Sequence, residues 1–193
     1  GLIGQWQVGD LHDDIASLVD DNQSVGVIRL AAVRALGLLG GDDTKRLAKL
    51  IDYGDATEEL KLAALESLSR LSLSTAADHG ARLLVGGVDS AGILAPFLKR
   101  EGGGRALTVA LAKRKLEAGP AAAALAKLQS LGSSEIELMN FLSQTAGIKN
   151  TVPAYSAEFV AALAKESTKG NIVNGRQTFQ TAGCAVCHKI GPA

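Results

Sequence analysis

The chain repeats itself. Ile15, Leu18 and Val19 recur 32 positions later as Leu47, Leu50 and Ile51, while Ala16 recurs as Ala48 and Asp20 as Asp52. Further on, Ile28, Leu30, Ala31, Ala32, Leu36 and Leu39 recur as Leu60, Leu62, Ala63, Ala64, Leu68 and Leu71. These positions step by three and four, which is helical periodicity. Each copy is therefore expected to form two helices, over 10–20 and 24–39 in the first. Gly40, Gly41 and Gly54 supply stops, and Ser24, Asp42 and Thr57 are candidate N-caps. One helix pair cannot bury its apolar face alone, whereas stacked pairs bury a continuous one. Ala31, Ala32 and Ala35 let a neighbouring helix come close. The pattern predicts an all-α chain built as an α-solenoid.

Later pairs are less regular. A third is expected over 90–100 and 105–118, delayed by an insert around 74–87 that forms one extra helix. A fourth, rich in alanine, is expected over 121–131 and 134–146. Gly102, Gly103 and Gly104 read as a tight turn, since no Gly-Lys-Ser/Thr follows to make a phosphate loop. Gly147 to Pro153 breaks the pattern. Ser156 then caps a last helix with Phe159, Val160 and Leu163 on one face. Composition agrees: 47% of residues are hydrophobic but only 4% aromatic, which suits close helix packing better than a β-sandwich. The stretch from Arg29 to Gly40 resembles the second helix of a HEAT repeat, and 61–72 is a weaker copy. The resemblance spans roughly residues 10–147 and implies packing rather than a ligand.

The chemistry lies near the end. Cys184-Ala185-Val186-Cys187-His188 is the attachment signature for c-type haem. Each thiol adds to a haem vinyl group, and the adjacent imidazole ligates iron. A thioredoxin-like reading would need a βαβ context, which is missing. A structural zinc site needs four ligands, and His12 and His79 lie far away in the helical repeat. The segment from Asn171 to Gly191 is similar to the opening of class I c-type cytochromes, where a short helix carries a glycine and, four residues later, an aromatic. Gly175 and Phe179 are the matching positions. That resemblance implies thioether links at Cys184 and Cys187 and makes His188 the proximal iron ligand. The family's second axial ligand lies downstream of the motif. Met139, the one methionine, is upstream on an apolar stretch and is expected to pack in the core.

The order of parts resembles the PVC-type (planctomycete-type) haem-binding multidomain proteins, which join a sugar-dehydrogenase-like region to HEAT-like helices and a C-terminal cytochrome c domain. The carrying phrase is Asn174-Gly175-Arg176-Gln177-Thr178-Phe179 with the motif and Lys189-Ile190-Gly191. The resemblance implies a HEAT-like helical domain over 1–168 and the first part of a cytochrome c domain over 169–193. It also implies covalent haem c in the parent protein. Electrons would come from an upstream dehydrogenase domain or a redox partner protein, and the helices would serve as a rigid spacer. Covalent haem attachment implies an extracytoplasmic, periplasmic location.

Other chemistry is weakly signalled. Lys189 and Arg176 flank the motif and suit docking of an acidic redox partner. His12, beside Asp13 and Asp14, reads as a solvated surface residue, and Asp13-Asp14 and Asp42-Asp43 read as first-turn carboxylates facing helix dipoles. The 20 basic and 20 acidic residues balance, which gives no footprint for nucleic acid. No apolar run reaches the roughly 18 residues of a membrane span. No Ser-His-Asp or paired-carboxylate constellation marks an active site. The alternative to electron transfer is a HEAT-like scaffold that docks a partner protein, for which exposed aromatics or arginines would be the sign.

Overall fold

The spacing of the sequence repeat is reproduced by the helices. A computed structural model describes residues 8–148, 157–166 and 169–181. A short 3-10 turn, Gly9–Leu11, leads into α1 (His12–Asp20), which packs on α2 (Gly26–Leu39). α3 (Thr44–Asp52) and α4 (Glu58–Leu71) begin and end 32 positions further on. Burial repeats as well. Ala32, Val33, Ala35, Leu36 and Gly37 are buried in α2, and their counterparts Ala64, Leu65, Ser67, Leu68 and Ser69 are buried in α4.

The closest approach between α2 and α4 is made by a glycine rather than by the alanines. A Cβ on Gly37 would lie 2.6 Å from Ser67 Cβ and 2.7 Å from Ser67 Cα. The Ser67 hydroxyl, buried at this contact, donates to the Val33 carbonyl at 2.9 Å. A buried hydroxyl without such a partner would be costly. Thr57 caps α4 as expected, its Oγ1 accepting from the Leu60 N–H at 3.3 Å. Ser24 does not cap α2. Its hydroxyl donates to Asp21 at 2.8 Å, and Val25 holds the cap position. Asp43, not Asp42, precedes α3, and its carboxylate makes no cap.

Five further helices follow: α5 (Leu73–Val85), α6 (Ser90–Leu98), α7 (Gly103–Ala112), α8 (Ala118–Ser130) and α9 (Ile136–Thr145). α2, α4, α6 and α8 touch in succession to make one row, and α3, α5, α7 and α9 make a second. The segment expected to be an insert is therefore a full member of the second row. α6 meets α7 and α8 packs on α9, as expected for the third and fourth pairs, but α5 is more than an insert, because it packs on α4, α6 and α7. The sequence hid this because α4 and α5 are separated by Ser72 alone. That residue ends one helix and caps the next, accepting from the Thr75 N–H at 3.4 Å. No glycine stop marks the junction.

One continuous core runs through these helices, from Ile15 to Leu142, with Met139 packed at its edge as expected. Phe97 is its largest fully buried side chain. Gly80 makes room for the Phe97 ring, and Gly103 starts α7 directly against the Phe97 carbonyl. Among the described residues there is no strand, and no helix is long and apolar enough to cross a membrane.

The chain divides into two compact units, Gly1–Lys149 and Asn150–Ala193. The helices above belong to the first. The second contains α10 (Ala157–Glu166) and α11 (Ile172–Thr181). α11 is capped by Asn171, whose Oδ1 accepts from the Asn174 N–H at 3.0 Å and whose carbonyl accepts from the Gly175 N–H at 2.8 Å. Gly147 turns with φ of 68°. The rest of the expected break, the Ser156 cap and the Phe159 side chain lie outside the described residues.

Candidate functional site

Cys184, Cys187 and His188, the residues expected to attach haem, lie with Lys189 outside the described residues. The helix that leads to them is described. Gly175 and Phe179 sit four apart on α11, which places them on one face. A Cβ on Gly175 would meet nothing within 4 Å, while Phe179 is partly covered and Arg176 is exposed.

Two charged clusters in the helix stack went unread in the sequence. The first joins the starts of α1 and α3. Asp43 is 1% exposed and receives two donors. Arg46 Nη1 donates to its Oδ1, and His12 Nε2 donates to its Oδ2 at 2.6 Å. His12 Nδ1 faces Asp13 Oδ1 at 3.3 Å. Only the protonated imidazole can donate from both nitrogens. Its pKa is accordingly raised, by the hydrogen bonds to Asp13 and to Asp43, against a smaller opposing effect of burial. Arg46 extends the cluster to α1, its Nε donating to Asp20 Oδ2 at 3.0 Å. His12 is thus an inter-repeat tether rather than a solvated residue. The signal was its position: residues 12 and 44 are repeat counterparts, so consecutive helix starts stack and bring residue 43 to residue 12.

The second cluster links α3 to α5. His79 is 7% exposed, with Nδ1 at 3.2 Å from Asp52 Oδ1. Arg82 Nη2 lies 2.6 Å from the same ring nitrogen and 3.1 Å from Asp52 Oδ1. Burial is the main cause that pushes the His79 pKa down. The Arg82 cation adds to it, while Asp52 opposes it. A neutral His79 can accept from Arg82, and Arg82 in turn is paired with Asp52. Nearby, Arg114 reaches Asp78 at 3.6 Å. Neither cluster assembles a nucleophile with a base. Among the described residues no three His, Cys, Asp or Glu side chains converge as a metal site.

Between α1 and α3 lies a cleft of about 310 Å³, with Val19 and Leu50 as its apolar floor. Arg29, Arg46 and Lys49 line it together with Asp20, Asn22 and Tyr53. Tyr53 is 37% exposed there, and its Oη accepts from Asn22 Nδ2 at 3.4 Å. Comparison with known proteins gave no match to any family model, curated protein or solved structure.

Proposed function

We propose that this chain belongs to a haem-binding electron-transfer protein, in which an α-solenoid of HEAT-like helix pairs supports a c-type haem module. The observation that carries the reading is Cys184-x-x-Cys187-His188 following directly on α11, with Gly175 and Phe179 at the spacing of a class I cytochrome opening. In this reading Cys184 and Cys187 hold haem c covalently and His188 ligates its iron. Bound haem would supply one-electron chemistry. The chain's own part is to hold the cofactor and fix its distance from a donor. The two-row order of α1 to α9 supports the solenoid reading, since a stack with one continuous core suits a rigid spacer. The donor would be an upstream dehydrogenase domain or a redox partner protein, and the setting periplasmic.

The test is intact mass with a visible spectrum, after export to the periplasm of a host that attaches haem to cytochromes. A mass gain of roughly 0.6 kDa and a Soret band at about 400–420 nm are expected for the parent protein. Bare polypeptide mass under conditions that load a control cytochrome would overturn the reading.

One observation favours a second reading, that of an interaction scaffold. Val25, Val27 and Ile28 stay exposed along α2, with Ile28 at 49% where its counterpart Leu60 is at 8%. These apolar side chains cluster at the start of α2, where a partner protein could dock.

A further inference from the structure

We propose that the cleft between α1 and α3 binds an oxyanion, with a doubly charged phosphate ester as the class it fits best. The argument starts from charge. Asp20 and Asp43 are both held by Arg46, and Asp43 also receives His12. Asp20 and Asp43 are thus engaged within the cluster, and Arg29 and Lys49 are the remaining cations of the cleft, Arg29 with the Asp21 carboxylate as an electrostatic neighbour. Arg29 spends its Nε on the Val19 carbonyl at 2.8 Å, which fixes the guanidinium plane and leaves both terminal amino groups for a ligand. Lys49 lines the same cleft without an acidic partner. Tyr53 accepts from Asn22, so its own hydroxyl proton remains to be donated. Arg29, which shares its charge with Asp21, Lys49 and a phenol thus converge on one concavity. An anchored guanidinium beside a mobile ammonium is an arrangement suited to phosphate recognition.

The charge is not a by-product of stacking. Arg46 and Lys49 stand where the repeat counterparts in α1 are Asp14 and Ser17. Lys49 in particular makes no contact that packing the repeat requires. The cleft between α5 and α7 has a similar volume, about 310 Å³, but faces Asp78, Ser74, Arg105 and Lys113 with no aromatic side chain. The buried side chains Val19 and Leu50 give the first cleft a dry floor, on which the carbon body of an ester can rest. This proposal does not rest on the haem reading, and either can fail alone.

The test uses the whole chain with inorganic phosphate and with glycerol 3-phosphate as probes, at low ionic strength. Amide shifts are followed across residues 19–22 and 46–53, and heats are measured in parallel. Saturable binding with Kd of about 1 mM or tighter is expected. Lys49→Met should weaken it by about tenfold, because a charge-assisted contact is lost while no intramolecular bond is. Arg29→Gln should weaken it at least as much. Lys45→Met, an exposed cation on α3 outside the cleft, should leave it unchanged. Tighter binding of glycerol 3-phosphate assigns the site to esters, and equal binding assigns it to free phosphate. No saturable shift up to about 10 mM, or equal losses for Lys49→Met and Lys45→Met, would overturn the proposal. So would affinity for an acidic protein surface with none for either probe.

Discussion

His12 and His79 pull the pH dependence of stability in opposite directions, because one gains proton-accepting partners on folding and the other loses water. The folded pKa of His12 lies above its ordinary value of 6.5. Its contribution is fully present below that value and fades as pH rises through the higher folded pKa. The folded pKa of His79 lies below 6.5. Between that folded pKa and 6.5 the unfolded chain binds the proton more readily, so stability falls as pH drops through this window. Urea midpoints from pH 5 to 8 for His12→Gln and His79→Gln are expected to diverge. On acidification the first should lose ground to the parent chain and the second should gain on it. Parallel shifts of both variants would contradict these assignments. Asp43→Asn tests the tether itself. It keeps the volume but removes the negative charge and one of the two oxygens that accept from Arg46 and His12, at an expected cost of about 1–2 kcal/mol in urea unfolding, since both donors are partly solvated. None of these pairs was legible from local sequence. His12 sits beside Asp13 and Asp14, which invites a surface reading, and the partner that buries its role is 31 residues away. His79 carries no motif, and only the packing of α5 against α3 supplies Asp52.

At the scale of elements, apolar spacing was enough to place the first four helices, because each of them buries a stripe with period three to four. It was not enough to number the rows. Row membership depends on which helix abuts which, and the α4–α5 junction carries its signal in a single serine that serves both ends. The alanines were the visible sign of close packing. The contacts that set the spacing are glycines, whose meaning depends on what stands opposite. A Cβ at Gly103 would come 2.0 Å from the Phe97 carbonyl oxygen, which is backbone and cannot swing aside. Gly103→Ala should therefore cost about 2–4 kcal/mol, as overpacking against fixed atoms does. Gly37→Ala meets Ser67 at 2.6 Å, partly offset by better helix propensity, and should cost about 1–2 kcal/mol. Gly26, the first residue of α2, faces open space, and Gly26→Ala should gain a few tenths to about 1 kcal/mol. The order of the three midpoints in chemical unfolding checks the packing. A Gly103→Ala variant as stable as Gly26→Ala would mean that α6 and α7 do not meet as described.

Across the whole molecule, the burial that stabilises and the proposed haem-attachment motif lie in different units. Every buried hydrophobic residue among the described positions falls between Ile15 and Leu142, while the described residues of α10 and α11 are exposed or, at Phe179, partly covered. The proposed haem motif stands out in sequence because covalent attachment would fix residue types and spacing in a short stretch. The cleft does not, because Arg29 comes from α2 while Arg46, Lys49 and Tyr53 come from α3 and its end, and only the stack unites them. The division makes a prediction about folding. If hydrophobic burial sets stability, a chain ending at Lys149 should unfold cooperatively with the same urea midpoint as the full chain, within error, and keep the far-UV signature of α1 to α9. Its m-value should fall only slightly, because α10 and α11 expose little additional surface on unfolding. Cys184→Ser with Cys187→Ser in the full chain should likewise leave that midpoint unchanged, while abolishing covalent haem in the parent. A truncated chain that unfolds at much lower urea would show that residues 150–193 contribute to the stability of the stack. The helical part would then be a dependent half of one cooperative structure, and a spacer role separable from the cofactor would fail with it.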